Sequence, residues 1–533
     1  MNIIANDLTS LSVINTPARN SELLSPSLGE PKNEPVSTTN AIQPAVVNTP
    51  AVLVQLSPAK AATVPDTYDE PRVDVVQVRN QYQSSPAVTR FSSQLANELT
   101  GIRAGKITFS SASFFSQVGA LSRETNEYKN EARGVTLAAS KATDKLKVDF
   151  ESVGGKRQES VTMRIKTKDG DIIEVKLQRN SGSSGDSLEF SFTVTGKLSA
   201  EEQDALEKLS TKLGEVADDF FRLGNTVLHG LKEFDNKNLE SFNIEFSKPK
   251  GDSYIVMKYD YSVDHATQTQ HLTASDADGF GIDITSDLQG ILGATTAAGN
   301  RSLNLYLDLI RNAFNQHSPV GENHSNRLNK QFVIDAFSSM VVPLAEKPEA
   351  TSSGDAKKML DAFSSGLPDF TASLHAPLYQ NHTNYVMPEA LQLNLSQQTE
   401  MESRTDGSLL VKQVNTYERH SSQLEGIVGS DKGDLDTGNY IYHVIHEKQQ
   451  TSRILDLAQD GLDNLITEQT QESEETASTY LNFQLQDTKT ERDQKRQLSQ
   501  LADEIEKHRQ QKQTFNSLRA ITESTQKIFA FNE

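Results

Sequence analysis

The sequence predicts an α+β fold in which an antiparallel sheet built from β-hairpins is covered by helices. Three observations support this prediction. Apolar and polar residues alternate over 161–165 and 173–177, on either side of an Asp-Gly turn at Asp169–Gly170. The same alternation returns over 242–246 and 254–261, which predicts a second hairpin that extends the first sheet. An amphipathic helix with a capping signature lies between the two hairpins.

The helix between the hairpins has a well-defined start. Ser199 is followed three residues later by Glu202, which is the spacing of a capping box, and Gly224 is placed to end the helix. Steps of three and four residues give the helix one apolar stripe, made of Leu206, Leu209, Leu213, Val216 and Phe220. We therefore expect this stripe to face the core and to cover the sheet.

The composition changes along the chain and suggests five segments. Nine of the 17 prolines precede residue 86, whereas Pro388 and Gly461 are the last residues of their kinds, so that no strong helix breaker follows. We expect a disordered Pro/Ser/Thr/Asn-rich tail (1–85), a central α+β body with two hairpins and the capped helix 199–223 (86–275), a mainly helical region (276–387), antiparallel strands that join the central sheet (388–450), and a helical arm (451–533).

The predicted arm changes its charge along its length. Residues 456–475 carry acidic side chains and no Lys or Arg, whereas residues 489–512 are mixed and more basic, so an antiparallel pair of helices would bring opposite charges together. A coiled-coil heptad begins but then meets polar core positions, in the order Leu498, Leu501, Ile505, His508 and Lys512. This pattern favours a solvated helical pair over a long coiled coil.

The overall composition excludes several classes of function. The chain is acidic, with a net charge of -20 and no cluster of Lys and Arg, so a nucleic-acid partner is not expected. It has no cysteine, which removes disulfides, thiolate metal sites and cysteine nucleophiles. We find no basic, apolar signal peptide at the start and no apolar run long enough to span a membrane. These features predict a protein that is cytoplasmic or is exported by a route independent of a signal peptide.

The stretch Asp276–Asp283 is the most site-like part of the sequence because it is dense in carboxylates and glycines. With Gly279 as the sixth residue of an EF-hand loop, the first and twelfth positions would be Ala274 and Thr285, neither of which is the required acid. As a calcium-binding nonapeptide it is a single copy of a motif that works by stacking. We therefore expect an Asp/Gly loop without selective calcium binding.

The histidines offer no metal motif within one segment. His443 and His446 lie on a predicted strand, where residues three apart point to opposite faces and cannot share an ion. Other histidines fall in polar segments without a carboxylate at a metal-ligand spacing, namely His317, His324, His375 and His382. No nucleophile elbow, phosphate loop, dinucleotide fingerprint or zinc-protease motif occurs. The sequence therefore identifies no catalytic residue, and neither a metal nor a cofactor is expected.

Two segments resemble known bacterial proteins. The run Leu198–Leu206 through 217–221, together with the strand pair around Asp169–Val175, resembles uncharacterised proteins of Gram-negative, chiefly gammaproteobacterial, origin over about a quarter of the chain. This resemblance implies no activity. A short apolar island at 52–60 is interpreted first as a chance apolar run within the tail and, as the alternative, as a docking peptide that orders on a partner; its part at 56–60 is similar to segments near the start of flagellum-associated proteins.

These observations favour a non-enzymatic interaction or structural protein of a bacterium, possessing a protein partner whose identity the sequence does not give. The lack of Cys and Trp, together with the polar composition, is also typical of appendage-associated proteins that are exported without a signal peptide. The alternative is a hydrolase-like enzyme whose site is assembled from distant residues. Asp276–Asp283, His443 and His271 would be its first candidates.

Overall fold

The computed structural model describes residues 10–14, 72–80, 85–103, 110–138, 157–182, 185–223, 237–277, 279–289, 296–315, 324–342, 355–377, 390–427, 437–458, 461–511 and 516–526. The strands β1 to β16 are Ser10–Ile14, Arg72–Asn80, Glu127–Ala138, Arg157–Thr167, Ile172–Gly182, Gly185–Thr195, Leu239–Lys250, Ser253–Asp264, Thr269–Asp276, Gly281–Asp287, Phe370–Pro377, Ala390–Ser403, Leu409–Gly426, Tyr440–Ala458, Gly461–Leu481 and Gln484–Gln500. The helices α1 to α9 are Pro86–Arg103, Ala112–Phe115, Val118–Glu124, Ala200–Leu223, Thr296–Asn315, His324–Met340, Asp355–Phe363, Ala502–Gln510 and Ser517–Gln526.

All of these strands belong to one antiparallel sheet, in the order β1-β2-β3-β6-β5-β4-β7 and then β8 to β16 in sequence order. The one departure from a simple meander is the group β4 to β6, which is inserted in reverse so that β3 pairs with β6 and β4 pairs with β7. Helices fill the long connections: α1 to α3 join β2 to β3, α4 joins β6 to β7, and α5 to α7 join β10 to β11.

The helices α1 to α6 pack against one face of the sheet and form a two-layer core. Phe220 of α4 meets Phe246 of β7 with ring centroids 5.4 Å apart, and Phe332 of α6 meets Tyr259 of β8 at 5.6 Å. Residues that alternate along the strands with these core positions are half-buried or exposed, as in β8 and β11. The sheet therefore has one apolar face under helices and one polar face, here called the open face.

The unit around the first hairpin was predicted correctly. β4 and β5 pair across a turn in which Gly170 has a φ of 95°, a conformation that glycine adopts without strain. At the start of α4 the Glu202 carboxylate accepts hydrogen bonds from Ser199 N (2.8 Å) and Oγ (2.9 Å), and Glu202 N donates to Ser199 Oγ (3.2 Å). The whole predicted stripe of α4, Leu206 to Phe220, is buried. Gly224 lies outside the described residues.

The predicted fold class was wrong in its proportions and at its C-terminal end. One large sheet dominates the described residues, and the predicted helical arm (451–533) begins with the end of β14, all of β15 and all of β16. Among the described residues of the arm, α8 and α9 are the helical segments. The start of a heptad at 498–505 is not one continuous helix either, because Leu498 is an exposed residue of β16, whereas Leu501 directly precedes α8 and Ile505 lies within it.

A tight turn explains why this segment is a strand pair. Asn482 and Phe483 both have positive φ, 49° and 63°, and Leu481 pairs with Gln484, which describes a two-residue hairpin of type I′. The hairpin brings the acidic and basic stretches side by side, as expected, but as strands: Arg496 contacts Glu468 at 2.7 Å and Arg492 contacts Glu474 at 2.9 Å. Thr favours strands, and a hairpin exposed on both faces needs no apolar alternation that a sequence search would detect.

Two other predicted segments also contain strands. β10 and β11 lie within the region predicted to be mainly helical (276–387), where they pair with each other across the long connection that holds α5 to α7. β2 lies within the predicted tail (1–85); it pairs with β3 and buries Val75, Val76 and Val78. The apolar alternation in β2 is too short to stand out beside the prolines that precede it. The apolar island at 52–60 lies outside the described residues.

A second, smaller core fixes the last strands to α7, α8 and α9. It is formed by Met359, Leu360, Phe363, Val411, Leu455, Leu457, Leu462, Leu465, Ile505 and Ile521. At its edge the guanidinium of Arg453, fully buried, donates hydrogen bonds to Gln413 Oε1 and to Thr525 Oγ1 (2.7 Å) and lies 4.7 Å from the centre of the Phe363 ring. Burial lowers the pKa of Arg453 to about 10, so this cation stays charged at neutral pH.

Candidate functional site

The last strands extend past the second core. Residues 441–450 of β14, 470–481 of β15 and all of β16 contain no buried residue, although they are fully paired with one another. We call these residues the C-terminal extension. At its tip the rings of Tyr440 and Tyr480 stack at 4.9 Å, and Phe483 N donates to Gly438 O. The extension is thus a paired ladder with both faces exposed or half-buried.

A row of polar side chains crosses the open face and continues into the C-terminal extension. Directly paired residues of antiparallel strands share a face, so the row follows from the register of β11 to β16. Its members, taken strand by strand, are His375, Gln392, His420, His446, Glu474 and Arg492. Two histidines therefore meet at its centre.

His420 and His446 form a close pair with a carboxylate beside them. Their rings are nearly parallel, with centroids 4.0 Å apart and an angle of 9° between the planes. Glu418 lies two residues before His420 and thus on the same face; its Oε1 is 3.4 Å from His420 Nε2 and 3.2 Å from His446 Nε2. We call these three residues the histidine cluster. Among the described residues, it is the group whose His and carboxylate ligand atoms converge closely enough to hold a metal ion.

The surroundings keep Glu418 ionised. Partial burial by itself would raise the pKa of Glu418, but hydrogen bonds from His446, Asn394 and His420 and the charge of Lys448 outweigh it and lower the pKa. Asn394 in turn accepts a hydrogen bond from Ser373 Oγ (3.0 Å), which orients its amide group toward the carboxylate. The cluster therefore has a charged oxygen ligand at neutral pH that is held from a neighbouring strand.

The second histidine on β14 has a different environment. His443 lies on the opposite face from His446, as the spacing predicted, and its Nδ1 and Nε2 contact Glu475 Oε1 (2.7 Å) and Glu425 Oε2 (3.1 Å). The side chain of His443 is 13% exposed, whereas those of Glu475 and Glu425 are 48% and 63% exposed. Each ring nitrogen of His443 thus already faces a carboxylate, which accounts for its position without a metal.

The loop at Asp276–Asp283 is a hairpin turn between β9 and β10. The Asp276 carboxylate accepts a hydrogen bond from Phe280 N (2.8 Å), and Phe280 is buried against Phe332 with ring centroids 5.4 Å apart. Asp283 lies on the open face and contacts His271 Nε2 at 2.9 Å. Asp276 follows the buried Leu272 and Ala274 in alternation, so the carboxylates of Asp276 and Asp283 do not converge. Asp278 lies outside the described residues.

Among the described candidates of the alternative enzyme, Asp283 and His271 meet, whereas His443 lies apart from them. The side chains of Asp283 and His271 are 61% and 46% exposed on the open face of the sheet. His443 lies four strands from β10, or about 19 Å at the usual strand spacing, and on the other face. A cleft of about 480 Å³ is lined by β15, β16, α8 and α9, and one of about 380 Å³ by α5, α7 and α9, both away from these residues.

Among the other histidines considered above, His375 is the one whose side chain is described. His375 belongs to the row on the open face, where its Nδ1 lies 2.6 Å from Gly279 O. His317 and His382 lie outside the described residues, and the side chain of His324 is not described. The histidine cluster was missed because its members come from two strands: the one local signal is the Glu-Arg-His order at 418–420, which gains meaning only once β13 is paired with β14.

No helix among the described residues combines the length and the apolar character needed to cross a membrane. In comparisons with known proteins, no protein-family model, curated protein or solved structure matches this chain.

Proposed function

We propose that this protein is a non-enzymatic interaction protein that binds an extended segment of a protein partner along its C-terminal extension. The observation that supports this proposal is the extension itself: three paired strands reach past the second core, and no residue of β16 is buried. Such a surface contributes little to folding by burial, because it removes little apolar area from water. Binding of a partner segment would explain why the chain forms such an exposed surface.

The geometry of β16 suits the addition of a strand. β16 is the last strand of the described sheet and pairs with β15 on one side. Its 17 residues span about 56 Å at the usual rise per residue. The backbone groups on its outer edge offer a template for an extended peptide, and alternate side chains would provide selectivity.

The charges of β16 argue for a foreign partner over a second copy. Edge strands avoid pairing with copies of themselves by carrying charged residues, especially Lys. β16 carries both signs, with Lys489, Arg492, Lys495 and Arg496 among Asp487, Glu491 and Asp493. A partner strand must match this order, which makes the edge selective.

The experiment is site-specific photo-crosslinking in the native cell, and a gammaproteobacterium is the host that the sequence resemblance recommends. A photoreactive phenylalanine replaces Thr490 of β16 or, as a matched control, the exposed Thr371 of β11 on the open face. We expect one discrete protein adduct from position 490 and none from position 371. The same adduct should disappear when Thr488→Pro removes a backbone donor from the strand.

Equal labelling at both positions, or no adduct at position 490, would contradict the proposal. The enzyme alternative would gain from a different result, namely a turnover that Asp283→Ala or His271→Gln abolishes. The contact between these two side chains gives that alternative a specific test, although their exposure on the open face of the sheet does not favour it.

A further inference from the structure

We propose that Glu418, His420 and His446 form a binding site for a divalent transition-metal ion, with Zn²⁺ as the reference ion. The inference does not rest on the proposed function: His446 belongs to the C-terminal extension, but the three ligands lie on the open face at β13 and β14, whereas the proposed partner pairs with the edge of β16, two strands from β14. Two imidazoles and one carboxylate are a common ligand set for zinc, copper, nickel and iron in proteins. Calcium and magnesium prefer sites built from oxygen alone.

The distances fit one shared ion. A metal about 2.0–2.2 Å from each ligand holds neighbouring ligand atoms about 2.9–3.4 Å apart at octahedral or tetrahedral angles. Glu418 Oε1 lies 3.2 Å from His446 Nε2 and 3.4 Å from His420 Nε2, and all three ligand atoms lie within 4.8 Å of one another. These separations are short enough for small side-chain movements to bring the three ligand atoms to one centre.

The rings must turn to bind. An imidazole coordinates a metal that lies near its own plane, whereas the two rings are stacked in parallel 4.0 Å apart. Each ring therefore rotates about its Cβ–Cγ bond until both Nε2 atoms point at the ion. The side chains of His420 and His446 are 47% and 42% exposed, so this rotation disturbs no core packing.

The backbone that carries the ligands is well fixed. β13 and β14 pair from Leu409–Leu457 to Gly426–Tyr440 without a register shift, and His420 faces His446 directly. The chain of hydrogen bonds from Ser373 through Asn394 to Glu418 orients the carboxylate from β11 and β12, as supporting residues do around many metal sites.

Two charged side chains lie beside the histidine cluster. Lys448 faces Glu418 across the strands, and Glu474 faces His446. The carboxylate of Glu474 is held by Arg492, with contacts of 2.9 and 3.3 Å, so it balances that cation and leaves the ion to the three ligands. The remaining coordination positions point to solvent, where water would occupy them.

The test is titration of the full-length, metal-free protein with Zn²⁺, followed by calorimetry and by competition with a chromogenic chelator. We expect one site per chain in the wild type. His420→Gln and His446→Gln should each weaken zinc binding by at least about a hundredfold, because even supporting residues around metal sites cost about 10–100-fold. Glu418→Gln should weaken it as well, since an amide is a poorer ligand than a carboxylate.

The matched control is His271→Gln. His271 is an exposed histidine on the same open face with a carboxylate at 2.9 Å, but without a second imidazole, so this variant should bind zinc as the wild type does. Thermal melts of the metal-free variants should stay close to that of the wild type, because the substituted side chains lie on the open face and belong to neither apolar core. Zinc binding that is absent from the wild type, unchanged in His446→Gln, or lost equally in His271→Gln would overturn the proposal.

Discussion

The helix-covered part of the sheet and the C-terminal extension use the same secondary structure but are stabilised differently. In β4 to β8, every second residue enters a continuous core with α4 and α6, where Phe220, Phe246, Tyr259 and Phe332 make ring contacts. In the C-terminal extension, neither face is buried, and the strands are joined by backbone pairing and by polar cross-strand contacts. The same antiparallel ladder thus changes along its width from a core layer to a solvated surface.

Because of this difference, the residues that stabilise the fold are not the residues that determine the chemistry of the surface. Burial of apolar area is the main stabilising contribution in the covered part, at roughly 25 cal/mol per Å². Exposed pairs of opposite charge contribute little, since water and salt screen them. The open face and the extension are therefore free to carry His, Glu and Arg without loss of the fold, and both proposed sites lie there.

The largest effect is expected from the core of the covered part. Phe220→Ala removes a fully buried ring beneath β7 and should lower the free energy of unfolding by about 3–5 kcal/mol. Leu213→Ala, on the same stripe, should lower it by about 2–5 kcal/mol. Urea titration measures both, with the exposed Arg222→Ala in the same helix as the control. Values near zero for Phe220→Ala would mean that α4 does not form the core layer.

A smaller effect is expected at the junction between the two regions. Gln413→Leu removes one of the two hydrogen-bond acceptors of the buried Arg453 guanidinium, the other being Thr525 Oγ1, and should cost about 2 kcal/mol, because hydrogen bonds to buried charges contribute about 1.5–3 kcal/mol. The control is Gln398→Leu, at an exposed position of β12. If both substitutions leave the urea midpoint unchanged, the hydrogen bond from Arg453 to Thr525 is sufficient and the bond to Gln413 does not stabilise the junction.

The capping box of α4 gives a pH-dependent effect. Burial would raise the pKa of Glu202, but hydrogen bonds from Ser199 and Thr167 outweigh it and lower the pKa below its usual value. A carboxylate whose pKa is lowered on folding stabilises the fold above its unfolded pKa, near 4.5, and loses this contribution as the pH falls through the folded value. Glu202→Ala should cost about 1 kcal/mol at pH 7.

The difference in the free energy of unfolding between the wild type and Glu202→Ala should then become smaller as the pH falls below 4.5. Urea titrations at pH 7, 5 and 4 measure it, and the exposed Glu201→Ala on the same first turn is the control. If this difference in the free energy of unfolding stays constant over the pH range, Glu202 stabilises the helix by packing and not through its ionised carboxylate.

The sequence correctly predicted the elements whose formation depends on residues close together in the chain. The alternation of Val161 to Leu177 around Gly170 and the Ser199–Glu202 spacing each involve neighbours in the chain, and both elements occur as expected. β15 and β16 have no such signature, because their apolar residues cluster near the strand ends and polar residues fill most of the positions between them. Absence of Gly and Pro was therefore a poor guide to a helix there.

The candidate site was harder to predict than the fold, for a related reason. His446 was recognised, but its partner was sought three residues away on the same strand, where alternation forbids contact. The actual neighbours, Glu418 and His420, are 28 and 26 positions away and meet His446 only through the register of β13 and β14. Register over long polar strands depends on the whole sheet, and no single-strand pattern encodes it.

The smallest effect is expected in the C-terminal extension. Arg496→Gln breaks the contact with Glu468 across β15 and β16, yet the thermal midpoint should change by less than about one degree, because this pair is exposed and screened. Glu468→Gln should behave alike, and the double variant should add nothing. Amide hydrogen exchange should distinguish the two regions where thermal melting does not. Amides of residues 470–500 should exchange early, through local opening, whereas those of β4 and β7 should exchange with global unfolding. Equal protection in the two regions would mean that the extension is covered by something beyond its own strands.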